Sequence, residues 1–308
     1  MYAVASFPAD ALAKIRASSE SRPGRAPYPL RFWHLGSFDA PTVAIVWTWG
    51  FAWPAHVQLP VWVYVLIALV VWAVYVADRL LDARTGLRNP EHHTLQERHL
   101  FHWRHRRVLL PLALAASAAA CWLMFSRLPL AALRSDSVLA AAALAYFSGV
   151  HVRVEWPKLA RFVSRFVSRE SLVGTLFTAG CFMPVIWLHP GPRSLPASLW
   201  PLLPVVAAFA VLASLNVYAI GRWESERNDS RLFKLASALA CAAVTGAIVL
   251  AHFAPRSAML LVSSAVSASL LILLDHFRTR LAPVTLRAFA DLVLLVPAFT
   301  IPITALLR

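Results

Sequence analysis

The sequence predicts an all-α polytopic membrane bundle of nine transmembrane helices with its N-terminus in the cytoplasm. Three observations lead there. Hydrophobic residues make up 59% of the 308 and charged residues only 14%, against roughly half and a quarter in a soluble domain. Apolar runs close to the ~20 residues that cross a bilayer core recur nine times. Threading those runs back and forth places 24 of the 29 Lys and Arg residues on one side, the asymmetry of the positive-inside rule. The formal charge of +14 is therefore a topology signal rather than a nucleic-acid footprint, and no nucleic-acid partner is expected.

Residues 1–38 read as a cytoplasmic arm, interrupted by Pro8, Pro23, Pro27 and Pro29 and lacking the apolar core of a signal peptide. Residues 39–308 form the membrane domain. Span one, 39–57, carries Trp47, Trp49, Phe51 and Trp53 in alternation, which on a helix spreads them around the barrel. Span two, 60–82, ends in Asp78-Arg79-Leu80-Leu81-Asp82. Span three covers 108–126. Span four, 136–151, has Arg134, Asp136 and Ser137 crowding its start. Span five, 170–189, opens on Arg169-Glu170, an acid suited to the positive end of a helix. Span six, 198–221, contains Asn216 and runs into Arg222-Trp223-Glu224. Spans seven and eight cover 235–254 and 257–275. Span nine, 283–306, holds Arg287 and Asp291, spaced to neutralise each other across one helical turn. Cys121, Cys181 and Cys241 lie inside apolar runs without a C-x-x-C pattern and are expected to be buried free thiols.

The candidate site is at the acidic ends of spans two and six. Carboxylates at the mouth of a membrane helix are costly and call for a function. Asp78 and Asp82 are four residues apart and share a helix face, so together they suit a divalent cation. Glu224 ends span six, with Asn216 two turns above it. Nine spans with acid motifs closing the second and sixth resemble the UbiA superfamily of intramembrane prenyltransferases. The family's first motif, Asn-Asp-x-x-Asp-x-x-x-Asp, is matched by Asp78, Arg79 and Asp82, while Val74 and Tyr75 stand where its leading Asn-Asp would be. Its second motif, Asp-x-x-x-Asp, keeps only Glu224, with Ile220 in the other acid position.

The resemblance implies Mg²⁺-dependent transfer of a prenyl group from a prenyl diphosphate to a small aromatic or lipid acceptor. It assigns Asp78, Asp82 and Glu224 to metal and catalysis. Arg79, Asn216, Arg222, Lys158 and Arg161 become substrate-binding candidates, of which Arg79 alone is carried by a motif. A bacterial inner membrane is the expected location, with the site on its cytoplasmic side. Two other readings stay open. One is a non-catalytic or transport-type lipid-binding protein on the same bundle, since fold alone does not fix activity. The other is a membrane metal oxidase using His92, His93, His99, His102 and His105 of the loop after span two. That loop also reads as an amphipathic surface helix, or as a lid over the diphosphate.

Overall fold

A computed structural model describes residues 27–88, 95–151, 168–189, 197–225 and 229–306. Twelve α-helices and three 3₁₀ segments, with no strand, make up these described residues. They are α1 (Tyr28–Leu35), α2 (Asp39–Ala52), α3 (Val61–Arg88), α4 (Glu97–Arg104), α5 (Arg106–Arg127), α6 (Leu130–His151), α7 (Arg169–Leu188), α8 (Leu203–Glu224), α9 (Arg231–Leu250), α10 (Pro255–Phe277), α11 (Pro283–Leu292) and α12 (Val296–Leu306). Seven helical segments among the described residues are long and apolar enough to cross a membrane: Val61–Leu87, Arg106–Arg127, Arg169–Leu188, Leu199–Glu224, Arg231–Leu250, Pro255–Arg280 and Pro283–Pro302. Large apolar side chains such as Trp122, Phe125, Ile248 and Val249 point outward from them. Such an exposed apolar surface suits lipid rather than water.

Two of the nine expected spans fall outside this set. Span one is only the 14-residue α2, a rise of about 21 Å and short of a ~30 Å bilayer core. It stops before Pro54, and His56 then takes a positive φ of 54°. Span four is the 22-residue α6, which starts at Leu130 rather than at 136. The expected arm is also not all arm. Its last part is α1, which packs on α11 and α4.

Helix α2 runs through the centre of the bundle, against α3, α7, α11 and α12. Trp47 and Phe51, one turn apart, are fully buried, whereas Trp49 and Trp53 are half-buried. Trp47 stacks on Phe209 of α8 with centroids 3.8 Å apart, and Phe51 meets Phe182 of α7 edge-on at 5.4 Å. The alternating aromatics thus divide between core and periphery, as helical geometry requires. Of the three free thiols only Cys181 is buried. Cys121 and Cys241 are exposed on the outer surface, contrary to expectation, because α5 and α9 turn those faces toward lipid.

The break between α11 and α12 follows from Pro297. Proline has no N–H to give the carbonyl four residues back, which is that of Val293. The Ser267 hydroxyl donates to this carbonyl at 2.6 Å, and the Trp47 indole N–H donates to that of Leu294 at 2.8 Å. Apolar surroundings leave no water to take their place. Close approach of α7 and α8 depends on Gly174, where a Cβ would lie 2.2 Å from Ser214 Oγ and 2.6 Å from the Ser214 amide nitrogen. Small residues permit such crossings in membranes. Gly174→Ala is expected to destabilise the detergent-solubilised protein by about 1–3 kcal/mol. A thermal melt in one detergent checks it; an unchanged midpoint contradicts the close crossing.

Candidate functional site

Helix α4 packs on the end of α3 and reaches the end of α8 through a side chain. This short helix begins with a reciprocal cap, in which the Gln96 side chain accepts from the backbone N–H of His99 and His99 Nδ1 accepts from that of Gln96. It is pinned on several sides. Glu97 pairs with Arg31 of α1. His102 Nδ1 donates to the Arg98 carbonyl at 2.8 Å, so its Nε2 accepts from the Ser37 hydroxyl at 3.0 Å. His99 Nε2 lies 3.8 Å from an Asp82 oxygen on α3. Its neighbour Arg98 donates to Glu224 of α8 at 3.1 Å. Two consecutive residues of α4 thus reach the acidic ends of α3 and α8.

Glu224 is shared. Its carboxylate also accepts from buried Arg287 of α11. Beside it lies a pocket of about 430 Å³ lined by Gln96, Arg222, Trp223, Glu224, Arg278 and Arg287, among others. Arg222 is buried, bonded to Asp275 of α10 and to the Asp229 carbonyl at 2.7 Å. Asp275 also accepts from the Trp223 indole at 2.8 Å and Arg278 at 3.2 Å. Three guanidinium groups therefore line one pocket, restrained by the carboxylates of Glu224, Asp275 and Asp229. Such planar forks suit phosphate oxygens.

The other expected site residues divide. Asp78 and Asp82 are half-buried at the end of α3, both within electrostatic reach of Arg169. Asp78, Asp82 and Glu224 do not come together as a metal-sized group. Arg79 turns into the interior, where it donates to the His34 carbonyl at 2.8 Å and stands 3.4 Å from Asp39. Asn216 donates to Asp291 at 3.0 Å. Lys158, Arg161, His92 and His93 lie outside the described residues. Both ring nitrogens of His102 are committed, leaving none for a metal.

The expected Arg287–Asp291 pair does not form. Arg287 instead answers Glu224, while Asp291 faces His34 at 3.6 Å and Asn216. Each finds a stronger partner on another helix, so the one-turn spacing is not used. Sequence reasoning passed over His34 and Asp39, whose Nδ1 and Oδ2 stand 2.6 Å apart. The signal was available: Asp39 opens an apolar run just as Asp78 closes one. His34, Asp39 and Asp291 form the one cluster among the described residues whose ligand atoms all lie within 4.8 Å of each other. Comparison with family models, curated proteins and solved structures finds no match.

Burial holds the His99 imidazole neutral, aided by the Arg98 and Arg287 charges, down to about 2. Burial and Arg79 push His102 down to about 4. An undocked α4 would take up protons near 6.5. Acid therefore favours undocking: the docked form loses stability as pH falls below 6.5, and the His102 share of that loss is complete near 4. Hydrogen exchange of residues 97–104 is expected to accelerate between pH 7.5 and 4.5, after correction for intrinsic rates. Equal protection at both values contradicts the docking described.

Proposed function

We propose that this chain is a nine-span membrane transferase that moves a prenyl group from a prenyl diphosphate to a small aromatic or lipid acceptor. The observation that carries the reading is the reach of Arg98 and His99 to Glu224 and Asp82, over a pocket lined by Arg222, Arg278 and Arg287. An acidic helix end, an arginine cluster and a covering helix are what a lipid diphosphate requires. In this reading α2 and α6 complete the nine spans, the bilayer thinning locally around the short α2. The Lys and Arg bias sets the N-terminus and the site on the cytoplasmic side of a bacterial inner membrane.

Asp78 and Asp82 fit Mg²⁺. They are one turn apart and half-exposed, and Mg²⁺ takes one or two carboxylates while keeping several waters for exchange with phosphate oxygens. Glu224 fits less well as a ligand, since two guanidinium groups hold it; its role is to position Arg98 and Arg287. Bound Mg²⁺ supplies charge neutralisation at the departing diphosphate. Arg287 and Arg278 bind the diphosphate and neutralise the charge that grows on it as the carbon–oxygen bond breaks. Helix α4, with buried neutral His99 and His102, shields the pocket from water that would otherwise capture the prenyl group. The apolar tail enters the bilayer side of the bundle.

The same geometry supports a second reading, a protein that binds a lipid diphosphate without turning it over, because arginines occupy the Glu224 carboxylate. Pyrophosphate release from short and long prenyl diphosphates, with acceptor-containing lipid extract in detergent, separates the two. The enzyme reading expects Mg²⁺-dependent release that falls at least about 100-fold in Asp78→Asn and Asp82→Asn. Undiminished release in both variants overturns the site. Retention of prenyl diphosphate with no release selects the binding protein.

A further inference from the structure

Deeper in the bundle, apart from the arginine-lined pocket, four helices bring titratable groups to one point. His34 ends α1, Asp39 opens α2, Arg79 comes from α3 and Asp291 from α11. His34 and Asp39 are buried, 3% and 1% exposed. His34 Nδ1 is 2.6 Å from Asp39 Oδ2 and 3.6 Å from Asp291 Oδ2. Asp39 Oδ1 accepts from the Ala40 amide at 2.9 Å, and Arg79 stands 3.4 Å from Oδ2. The Ala40 amide orients the carboxylate through the oxygen not facing His34, as outer partners of a metal ligand do, while Arg79 shares Oδ2 with His34.

A second, independent observation points to a ligand. Asn216 of α8 is 5% exposed. Its Nδ2 donates to Asp291 Oδ1, which fixes the amide the other way round and leaves Oδ1 buried without a donor. Asn216 and Asp291 line the same small cavity, about 30 Å³, with Tyr75, Gly174 and Phe177. That volume admits one ion or water and nothing larger. The cavity meets the cluster through Asp291, whose other oxygen faces His34, and both His34 ring nitrogens are buried without a hydrogen bond of good geometry. A cation beside Asp291 would satisfy acceptors on both sides of it.

We propose that His34, Asp39 and Asp291, with the Asn216 amide oxygen, form a binding site for one divalent cation of the Zn²⁺ or Mn²⁺ class. One nitrogen and three oxygens make a donor set for a borderline ion; Mg²⁺ and Ca²⁺ prefer oxygen alone, and Cu⁺ prefers sulfur. The ion would enter between His34 Nδ1 and Asp39 Oδ2, whose 2.6 Å separation would widen to about 3 Å around it. Two carboxylates match the charge of a dication; Arg79, 3.4 Å from Asp39 Oδ2, opposes it and keeps the affinity modest. The ion would tie α1, α2, α8 and α11 together and hold Asp291 at the cavity.

The test uses the full chain in detergent, stripped with a chelator and equilibrated with Mn²⁺ or Zn²⁺. Besides any ion held at Asp78 and Asp82, about one ion per chain is expected, retained in Asp82→Asn and weakened at least tenfold in His34→Gln and in Asp291→Asn. Pulsed paramagnetic resonance of the Mn²⁺-loaded wild-type protein is expected to show coupling to one histidine nitrogen, abolished as ¹⁴N modulation by ¹⁵N-histidine labelling. That measurement needs no variant to fold. Absence of a retained ion, or a bound Mn²⁺ with no histidine coupling, overturns the site and leaves His34 paired with Asp39 alone. Loss of binding in Asp82→Asn with retention in Asp291→Asn also overturns it. Pyrophosphate release is measured apart, so either proposal can fail alone.

Discussion

Charge inside an apolar bundle must be paired, and that constraint organises this protein. A carboxylate or guanidinium removed from water loses several kcal/mol of solvation, which only a close partner offsets. Asp39 lies almost wholly inside the bundle and answers to His34, Arg79 and the Ala40 amide. Arg287, equally buried, answers Glu224, and Arg222 answers Asp275. Each pair joins different helices, so each fixes a helix–helix register that the apolar surfaces alone would leave loose. Removing one partner strands the other, whereas two apolar replacements would not. The arrangement is therefore specific at the cost of stability, which is the usual mark of a working interior.

The polar pairs are concentrated at one end of the bundle, and α4 closes over them. It has little apolar surface of its own to anchor it, and its place is set by Glu97, Arg98, His99 and His102 reaching four different helices or turns. A helix held by polar contacts can release without exposing a core, unlike α8 or α10. Opening and closing over the arginine pocket is then a matter of a few ion pairs, a scale on which a phosphorylated ligand competes directly. The interior cluster at His34 and Asp291 is tied to α3 by Arg79, which donates to the His34 carbonyl.

Much of this was legible in the residues. The apolar runs placed most helices within a few positions, because lipid imposes the same length on every span. They failed where local chemistry interfered: Pro54 cut α2 short, and Pro297 split the last span. The acids at the ends of α3 and α8 were visible, and so was Asn216's need for a partner. Which partner each charge takes was not. Arg287 and Asp291 look paired at one-turn spacing, yet both prefer groups from distant parts of the chain. Arg79 is in a motif yet points inward, to a carboxylate 40 positions earlier. Such choices depend on how helices cross, and sequence spacing along one helix carries none of that.

The docking of α4 across the ends of α3 and α8, beside the arginine-lined pocket, is what the functional reading stands on. Its most direct measurement is proximity across the lid. In a chain freed of Cys121, Cys181 and Cys241, the pairs Arg98→Cys with Glu224→Cys and His99→Cys with Asp82→Cys would be treated with a short bifunctional thiol reagent. The account expects both pairs to cross-link within one chain, and a prenyl diphosphate to change the yield. Failure of both pairs to cross-link in folded, monodisperse protein would contradict it.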